Sequence, residues 1–532
     1  MRKLLVANRG EIAVRIFRTC RELGISTVAV AAADDLRAFH TRVADETVEI
    51  ASYLFSEEHI RAAKRAGADA IHPGYGFLAE NPDFAEAVDA AGLVFVGPTP
   101  EALRAGGDKL EAKRIAEAAG VPTLPAGDPG EIGFPLILKA AAGGGGRGMR
   151  VVHAAEELDD ALAAARREAK AAFGDDRVFA ERYLERPRHI EVQVLADEHG
   201  GVVGLGERDC SVQRRHQKVL EEAPAPAVDP DLRDELLEAA VAFARGIAYR
   251  NAGTVEFMVA GADYFLLELN GRIQVEHPVT ELVTGIDLVR EQLSIAAGRR
   301  VPATPPVAGH AVEARLYAED PRTFLPQTGT VERLRLPDGV RVDAGVEAGD
   351  EIPLAYDPMI AKLIALGDSR DQALDRLAAA LAETDVGGVV TNLPFLRWLL
   401  AHPEVRAGRT TTAFLDEYPP LSDAPPPPPR PWRGAWRLNL SSPPRTRLPQ
   451  ADTTATAAAS GRGAVTAPMP GTVIRVDVAA GHRVQPRQPL VVLEAMKMET
   501  PLVSPYEAVV EAVHVREGDR VDAGAVLVEL AE

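Results

Sequence analysis

The first 110 residues alternate short apolar runs with amphipathic stretches, and this alternation most constrains the fold. A helix is predicted at Glu11–Leu23, and strands are predicted at Lys3–Ala7, Ser26–Ala32, Ala68–Ile71 and Leu93–Val96. Strands that alternate with helices are typical of a parallel sheet covered on both faces. The segment NRGE, at 8–11, stands where a dinucleotide-binding protein has a glycine-rich fingerprint. A nicotinamide cofactor therefore receives little support.

Composition and charge narrow the class of protein. The 532 residues are 46% hydrophobic and 26% charged, which is typical of globular proteins. The formal net charge of −19 argues against a protein that coats nucleic acid, although a cleft can be locally basic. Cys20 and Cys210 are too few for a disulfide scaffold. No secretory signal or membrane-length apolar run is found, so we predict a cytoplasmic protein that binds neither nucleic acid nor membrane.

Four consecutive glycines, Gly143–Gly146, lie between strand-like runs at Leu136–Lys139 and Arg150–His153. Glycine N–H groups can close on phosphate oxygens, and Lys139 would neutralise phosphate charge. The order differs from a Walker loop, which ends in GK[ST]. A mobile surface loop is the alternative. The segment resembles the glycine-rich lid of an ATP-grasp enzyme.

Two glutamates, Glu256 and Glu268, lie in the strand-like runs TVEFMV and FLLELN, and Asn270 follows. A hairpin would bring the two carboxylates together with the amide oxygen. Such oxygen ligands suit Mg²⁺ that bridges nucleotide phosphates. The alternative is a pair of strand glutamates that face solvent.

Arg272, Gln274 and Glu276 follow Asn270 in strict alternation. If this segment is extended, the three side chains point to one face. An arginine fork suits a planar anion such as bicarbonate, and a neighbouring carboxylate can act as a base. The alternative is arginine–glutamate pairing that serves stability alone. A polar triple on a strand that should be core favours an anion site.

The composition changes at Tyr418–Gly463, which contains five consecutive prolines and then an alanine/threonine tract. Polyproline is extended and semi-rigid, whereas the second part is flexible. We predict a linker of roughly 40 residues with an r.m.s. span of about 35 Å. Trp432 and Trp436 lie inside it, and we predict that Pro431–Leu440 packs on a neighbouring domain or subunit.

The C-terminal region contains an internal repeat. Val478, Gly481, Val484, Leu490 and Val491 recur 37 positions later as Val515, Gly518, Val521, Leu527 and Val528. Two similar β halves related by a pseudo-twofold axis make a small flattened barrel. Lys497 lies between the halves and would sit at the exposed tip of the connecting hairpin. An ordinary turn lysine and a lipoyl carrier are the alternatives, and periodicity does not decide between lipoyl and biotin.

Several motifs closely resemble biotin carboxylase and occur in that family's order. They are HPGYGFLAEN (72–81), KAAAGGGGRGM (139–149), ERDCSVQRRHQKVLEEAP (207–224), NGRIQVEHPVTE (270–281), GHAVEARLYAEDP (309–321) and YDPMIAKL (356–363). EAMKMET (494–500) resembles the attachment motif of biotinyl carrier domains. The combined pattern resembles the α subunit of a biotin-dependent acyl-CoA carboxylase.

The resemblance implies an α/β fold with an added all-β domain. The implied parts are a Rossmann-like pre-ATP-grasp domain at 1–110, an ATP-grasp domain at 111–300 with a lid at about 120–185, a biotin carboxylase C-terminal α+β domain at 301–417, a proline-rich linker at 418–463, and a flattened biotinyl/lipoyl-like barrel at 464–532.

The resemblance also implies roles at matching positions. ATP would be bound by Lys109, Lys139, Gly145, Gly146, Glu181, Arg182, Tyr183, Leu184, His189, Gln213, His216, Glu256 and Glu268. Mg²⁺ or Mn²⁺ would be held by Glu256, Glu268 and Asn270. Bicarbonate would be bound by Lys218, Arg272, Gln274, Val275 and Glu276. Arg315 would meet the ureido group of biotin, which would be attached to Lys497. The implied catalytic residues are Lys218, Arg272, Glu276 and Arg315.

The implied activity is ATP-dependent carboxylation, by bicarbonate, of the biotin on the chain's own carrier domain. Glu276 would take the bicarbonate proton while Arg272 offsets the charge, and attack on the γ-phosphate would give carboxyphosphate. The implied partners are biotin protein ligase, further copies of this chain and a separate carboxyltransferase β subunit. Acetyl-, propionyl- and 3-methylcrotonyl-CoA remain open as acceptors. The alternatives are another ATP-grasp ligase, which joins a carboxylate to an amine, and a non-catalytic biotinylated scaffold.

Overall fold

The protein is described from a computed structural model. The structure describes residues 1–141, 149–173, 175–214, 217–353, 355–421, 463–467, 471–486, 488–495, 498–521 and 524–531. The predictions for Gly143–Gly146, His216, Lys497 and the Pro431–Leu440 segment, with Trp432 and Trp436, lie outside these ranges.

The N-terminal part is a parallel sheet, as the alternation predicts. Its strands are β1 Lys3–Val6, β2 Ser26–Ala31, β3 Glu46–Glu49, β4 Ala70–His72 and β5 Val94–Phe95. Its helices are α1 Gly10–Glu22, α2 Phe39–Val43, α3 Ser56–Ala66, α4 Pro82–Ala90 and α5 Pro100–Gly107. The order is β3-β2-β1-β4-β5, with every pair parallel. Leu4 belongs to one apolar core and Leu5 to another, because successive strand residues face opposite sides of the covered sheet.

The next segment forms a small antiparallel sheet with its own core. Its elements are α6 Lys109–Ala118, β6 Ala126–Gly127, α7 Pro129–Ile132, β7 Leu136–Ala140, β8 Arg150–Val152, α8 Leu158–Phe173 and β9 Val178–Arg182. The strand order is β6-β9-β7-β8, and we call this the lid sheet. Leu136, Leu138 and Val152 pack against α8. The glycine run connects β7 to β8 and lies outside the described residues.

The largest sheet is antiparallel and has eight strands. The strands that follow the lid sheet are β10 Arg188–Ala196, β11 Val202–Arg214, β12 Gln217–Ala223, β13 Asn251–Ala260, β14 Asp263–Asn270, β15 His310–Tyr317, β16 Gly329–Thr330, β17 Arg333–Arg335, β18 Arg341–Ala344, β19 Glu351–Ile352, β20 Met359–Gly367 and β21 Asp385–Gly387. The eight-stranded order is β14-β13-β10-β11-β12-β15-β20-β18, and β16–β19 and β17–β21 form separate pairs. Strands from both sides of residue 300 share this sheet, and the domain limits given above stay predictions.

Helices cover this sheet and complete the C-terminal part. They are α9 Pro230–Gly246, α10 His277–Thr284, α11 Leu288–Ala296, α12 Arg370–Glu383, α13 Leu393–Ala401, α14 Pro403–Arg406 and α15 Phe414–Glu417. Tyr418, which the composition assigns to the linker, packs 4.6 Å from the His402 ring and 5.3 Å from the Phe414 ring. The chain is therefore still packed at this residue, and 422–462 lie outside the described residues.

The C-terminal region forms two four-stranded sheets that reproduce the sequence repeat. The strands are β22 Ala464–Thr466, β23 Gly471–Val476, β24 Arg483–Val484, β25 Pro489–Ala495, β26 Met498–Val503, β27 Ala508–Val513, β28 Arg520–Val521 and β29 Val526–Ala531. The sheet orders are β22-β29-β27-β24 and β26-β25-β23-β28. Each sheet contains two strands from each half of the repeat, namely β22 and β24 with β27 and β29 in one sheet, and β23 and β25 with β26 and β28 in the other. Gly481 and Gly518 occupy equivalent turns at φ of 89° and 93°, which favour glycine.

None of the helices in the described part of the chain combines the length and the apolar content that a bilayer span requires.

Candidate active site

A cleft of about 410 Å³ lies between the lid sheet and the eight-stranded sheet. It brings together the seventeen predicted site residues that fall within the described part of the chain. They are Lys109, Lys139, Glu181, Arg182, Tyr183, Leu184, His189, Gln213, Lys218, Glu256, Glu268, Asn270, Arg272, Gln274, Val275, Glu276 and Arg315. The four others, Gly145, Gly146, His216 and Lys497, are outside the described residues.

The cleft also has apolar lining from the lid sheet and from the β13–β14 hairpin. The side chains are Leu124, Ile137, Met149, Met258 and Leu267. A cleft with apolar walls and a few convergent polar groups is the usual form of a small-molecule site. Apolar walls from two sheets suit a flat ring such as a nucleotide base, and the cations nearby suit its phosphates.

Lysines from two elements reach the lid side of the cleft. Glu181 on β9 accepts hydrogen bonds from Lys139 on β7 and from Lys113 on α6. Burial acts to raise the pKa of Glu181, but these two ammonium groups outweigh burial and lower it. Lys109 begins α6, and burial lowers its pKa, with the charge of Lys139 adding to the effect. Several cations crowded on one side of a cleft favour an anionic ligand such as phosphate.

The predicted hairpin pairs the two candidate metal ligands. Glu256 on β13 lies directly opposite Glu268 on β14, and Asn270 Nδ2 donates to Glu256 Oε1 at 2.8 Å. Burial raises the pKa of Glu268, and the neighbouring Glu256 carboxylate adds to the effect. Two repelling carboxylates beside an amide oxygen form the hard oxygen donor set that Mg²⁺ prefers, so these residues fit that cation.

Lys218 lies at the centre of the polar network. Its Nζ donates to Glu256 Oε1 at 2.8 Å, to Glu276 Oε1 at 2.6 Å and to Glu191. Burial disfavours the ammonium, but the three carboxylates outweigh burial and raise the pKa of Lys218 well above its usual value. His189 Nε2 lies 2.9 Å from Glu256 Oε2, so a second nitrogen faces the same carboxylate.

The prediction of a strand at Arg272–Glu276 is wrong. Strand β14 ends at Asn270, and Glu276 immediately precedes α10 with φ −81° and ψ 7°. The side chains nevertheless enter one cleft. Arg272 Nη2 donates to Asn270 Oδ1, and Gln274 Nε2 donates to Glu256 Oε1, both at 2.8 Å. A turn beyond the end of a strand can also bring alternate residues to one side. Alternation in the sequence therefore does not distinguish an extended strand from such a turn.

Glu276 lies between two cations. Its Oε1 accepts from Lys218, and its Oε2 accepts from Arg315 Nη2 at 2.8 Å. Burial acts to raise the pKa of Glu276, but Lys218 and Arg315 outweigh burial and lower it. The side chain is therefore an ionised carboxylate, able to accept a proton once its cations are engaged elsewhere.

Arg208 is a residue of this site that the sequence predictions omit. Its guanidinium is fully buried, and Nε donates to Glu191 at 2.5 Å. Further hydrogen bonds of 2.9 to 3.1 Å reach the side-chain oxygens of Gln193, Thr254, Gln274 and Thr280. Arg208 thus joins side chains of β10 and β13 to the segment that follows β14. Its only sequence signal is a charged residue in a strand that is otherwise buried.

Glu80 and Cys210 are also near the site. Glu80 Oε2 lies 3.2 Å from Arg272 Nε, and Glu80 Oε1 accepts from the backbone N–H of Gly271. Cys210 is fully buried, and burial raises the pKa of its thiol well above the usual value. The thiol is therefore neutral, as expected of an inert buried cysteine.

Four family models match consecutive parts of the chain. They are "Biotin carboxylase, N-terminal domain" at 1–103, "Carbamoyl-phosphate synthase L chain, ATP binding domain" at 108–304, "Biotin carboxylase C-terminal domain" at 313–417 and "Biotin-requiring enzyme" at 463–530.

Curated relatives agree with these matches. Biotin carboxylase of Haemophilus influenzae is 48% identical over 441 residues, which are 78% of this chain and 98% of that protein. One of the pyruvate carboxylase subunits of Methanothermobacter thermautotrophicus is 48% identical over 78% of this chain and 90% of that protein. The alpha subunit of mitochondrial methylcrotonoyl-CoA carboxylase from Oryza sativa is 48% identical over 78% of this chain, but the match spans only 60% of that protein.

Solved structures give the same result. A biotin carboxylase–β,γ-ATP complex from Campylobacter jejuni has a TM-score of 0.77 and 40% identity, and the match covers 78% of this chain and 99% of that one. The biotin carboxylase domain of Hydrogenobacter thermophilus 2-oxoglutarate carboxylase, in complex with MgADP, ADP and bicarbonate, has a TM-score of 0.77 and 43% identity over 79% of this chain and 98% of that one.

The chain therefore belongs to the biotin carboxylase family. It is an ATP-dependent ligase whose biotin carboxylase part is joined, in the same chain, to a biotinyl carrier domain. The predicted fold class and the predicted use of ATP and covalent biotin are confirmed at this level.

Proposed function

We propose that the protein is the α subunit of an acyl-CoA carboxylase. It uses ATP and bicarbonate to carboxylate biotin held on Lys497, and a separate carboxyltransferase β subunit passes the carboxyl group to an acyl-CoA. The observation that carries the proposal is the convergence of Lys218 and Arg315 on Glu276, at 2.6 and 2.8 Å. This cluster shares one cleft with the Glu256/Glu268 pair.

The nucleotide part of the cleft positions the γ-phosphate. Lys109 and Lys139 neutralise phosphate charge, while Glu256 and Glu268, with Asn270, hold Mg²⁺. The bound cation supplies further neutralisation of the phosphates as the phosphoryl group is transferred. Positioning and charge compensation are the main contributions that a protein makes to phosphoryl transfer.

The neighbouring polar groups handle bicarbonate. Arg272 and Lys218 bind its oxygens, and Gln274 and the backbone of Val275 complete the site. The arriving anion draws the charge of Lys218 away from Glu276, so the proton affinity of that carboxylate rises. Glu276 then takes the bicarbonate O–H proton, and the freed oxygen attacks the γ-phosphorus to give carboxyphosphate and ADP.

Arg315 and the carrier domain account for the second half of the reaction. Carboxyphosphate breaks down to CO₂ and phosphate, and the phosphate can take the proton of the biotin ureido nitrogen. Biotin, when bound, would supply that nitrogen, which takes up the CO₂. Arg315 would face the ureido oxygen and stabilise negative charge there, a contribution of about 3–4 kcal/mol for one well-placed donor. Strands β25 and β26 pair at Ala495 and Met498, and Lys497 lies between these two residues in the sequence.

The choice of an acyl-CoA acceptor has separate support. Relatives at 46–48% identity include several methylcrotonoyl-CoA carboxylase alpha subunits. A carboxylase joined to its carrier resembles such subunits, and biotin protein ligase would modify the carrier. The relative from Methanothermobacter thermautotrophicus, which is named for pyruvate carboxylase, makes pyruvate the second candidate acceptor. A cytoplasmic location and a homo-oligomer within a hetero-oligomeric carboxylase stay predictions.

Labelled bicarbonate tests the first half of the proposal. The full chain, produced with biotin protein ligase, should bind streptavidin and retain ¹⁴C from bicarbonate only when ATP and Mg²⁺ are present. Lys497→Arg should abolish streptavidin binding and protein-bound ¹⁴C. Glu276→Gln should keep streptavidin binding and lose ¹⁴C. Label that is retained by Glu276→Gln would favour a biotinylated scaffold, and label without Lys497 would favour another ligase.

Purification from the native host tests the second half. The chain should bring down a carboxyltransferase, and the complex should transfer ¹⁴C to one of acetyl-, propionyl- or 3-methylcrotonyl-CoA. Transfer to pyruvate or 2-oxoglutarate, with no transfer to these three, would contradict the acyl-CoA assignment and leave the biotin carboxylase activity standing.

A further inference from the structure

A layer of buried charged side chains lies behind Arg315. In the sheet register Glu221 on β12 is opposite Glu313 on β15, and Arg315 is opposite Lys362 on β20. Alternate residues of a strand share a face, so Glu313 and Arg315 point to the same side as these partners. Glu221, Glu313 and Lys362 are 0% exposed and Arg315 is 7% exposed. Four charged groups therefore share one water-poor layer next to the cleft.

Arg315 is held by two carboxylates. Its Nη2 contacts Glu276 Oε2 at 2.8 Å and also contacts Glu221 Oε1. Lys362, the other cation of the layer, is engaged elsewhere. Its Nζ donates to the Val275 carbonyl at 2.6 Å and lies 3.3 Å from Glu11. Glu221 therefore depends on Arg315 as its direct cationic partner.

Glu313 differs from Glu221 in its ion pairing. Glu221 Oε1 contacts Arg315 Nη2, whereas Glu313 forms no ion pair among the described residues. No oxygen of either carboxyl group makes a well-aligned hydrogen bond within the described part of the chain. Burial raises the pKa of Glu313 well above its usual value. The charges of Lys362 and Arg315 act to lower it, whereas the charge of Glu221 raises it further. Directly opposed like charges in a sheet are unfavourable. Glu313 is therefore the neutral acid of the pair.

Glu221 is the acid that pairs with the guanidinium. Burial raises its pKa to about 7 against the opposing charge of Arg315, and Glu276 and Lys218 are the other charged groups that act on it. Of the two carboxylates around Arg315, Glu276 lines the cleft and Glu221 does not. Glu221 is on the sheet behind the guanidinium and 0% exposed.

We propose that Glu221 is a positioning residue that holds Arg315 throughout turnover, whereas Glu276 holds Arg315 only while it is ionised. The inference rests on the proposed function. When the bicarbonate O–H bond breaks, its proton goes to Glu276, and the neutral acid no longer pairs with Arg315. The guanidinium keeps Glu221 and turns a freed N–H toward biotin. The proton leaves Glu276 for solvent at the end of the cycle, and the original pair forms again.

This arrangement links the two half-reactions through one side chain. Arg315 becomes available to biotin only after the bicarbonate proton has moved. Without Glu221, protonation of Glu276 would leave the guanidinium with no anchor, so carboxyphosphate would form and be lost to water. The expected defect is thus in carbon transferred per ATP cleaved. If the Glu221–Arg315 ion pair served stability alone, its loss would lower the rate of ATP cleavage and the rate of carbon transfer together.

The test uses the full-length biotinylated chain and two readouts. ADP release that depends on bicarbonate reports carboxyphosphate formation, and protein-bound ¹⁴C reports transfer to the carrier. For Glu221→Gln we expect ADP release close to wild type and the ratio of ¹⁴C fixed to ADP formed lowered about tenfold or more, as for loss of a hydrogen bond to a charged group. Glu221→Asp keeps the charge and should restore part of this ratio.

Glu313→Gln is the matched control. It replaces a neutral acid with a neutral amide of the same size on the facing strand, so its ratio should equal that of wild type. The inference is overturned if Glu221→Gln keeps the wild-type ratio, if both readouts fall equally, or if Glu313→Gln lowers the ratio as much.

Two further outcomes separate the inference from the function on which it rests. If Glu221→Gln does not fold, the same ratio measured on Glu221→Asp decides, since a wild-type value there contradicts the inference. A wild-type chain without bicarbonate-dependent ATP cleavage would overturn the proposed function and the inference with it. A fully active wild-type chain with an unchanged Glu221→Gln ratio would overturn the inference alone.

Discussion

Replacing Arg208 with methionine tests the buried network beneath the cleft. The guanidinium makes five hydrogen bonds, to Glu191, Gln193, Thr254, Gln274 and Thr280. Methionine is unbranched and has a similar volume, so Arg208→Met removes the charge and the donors without opening a large cavity. Among the described residues, Glu191 would keep the ammonium of Lys218 as its close cationic partner, with His189 Nε2 at 3.9 Å.

The magnitude follows from these contacts. Removing one member of a buried charge pair costs about 3–5 kcal/mol, because the other charge remains buried. Four neutral acceptors also lose a donor, at about 1 kcal/mol each where no other donor replaces it. Since such terms are not additive, we expect a total loss of about 5 kcal/mol in the free energy of unfolding. For a cooperative unit of 150–250 residues this lowers Tm by about 10–20 °C.

The assay is thermal unfolding of the full chain, followed by circular dichroism and by calorimetry. Arg208→Lys keeps the charge but loses the forked set of guanidinium donors. Its Tm should therefore fall between those of wild type and Arg208→Met. Arg114→Met removes an exposed pair with Glu111 and should leave Tm unchanged within error. An Arg208→Met protein that melts within about 2 °C of wild type would refute the reasoning, because the buried Glu191 carboxylate would then have lost one of its cations at no cost.

Three further predictions concern catalysis, metal and pH. Glu276→Gln should lower bicarbonate-dependent ADP release about 10²–10⁴-fold, and a decrease below tenfold would argue against Glu276 as the base. Glu268→Gln should raise the Mg²⁺ concentration for half-maximal ADP release about tenfold or more, whereas Glu111→Gln, at a half-buried helix position, should not change it. Burial lowers the pKa of His40 and of His72 from 6.5 to about 4. As the pH falls, these histidines therefore bind protons in the unfolded chain before they do so in the folded chain. Each histidine contributes about 3 kcal/mol to the free energy of unfolding above pH 6.5, and this contribution is lost as the pH falls toward 4. Urea unfolding should show this loss between pH 7 and pH 5 with a smaller slope in His40→Gln, and equal midpoints at the two pH values would contradict it.

Local patterns were sufficient for much of the fold. The strand–helix alternation predicts the parallel sheet and four of its five strands, but it misses β3 at Glu46–Glu49. The ends of predicted elements shift by a residue or two, as where the helix predicted at Glu11–Leu23 runs over Gly10–Glu22. The 37-residue repeat predicts the two matching halves of the carrier domain. These features follow from side-chain periodicity and glycine turns, which act over a few residues and can be read directly from the chain.

The same reasoning fails where a turn imitates a strand. Arg272, Gln274 and Glu276 alternate in the sequence, yet they lie beyond the end of β14. Alternation reports only which residues share a side, and a strand and an irregular segment can both satisfy it. The prediction that they share one cleft nevertheless agrees with the structure.

The residue types around the site, and the pairing of Glu256 with Glu268, were determined by the sequence alone. The partners of the buried charges were decided by the tertiary structure. Arg315 meets Glu276 across 39 positions, and Arg208 meets Gln274 across 66. Such pairs depend on the register of strands that are distant along the chain, and a buried charge is stable only where that register supplies its counter-charge. For this physical reason, the residues around Glu221 and Arg208 in the sequence do not identify their partners.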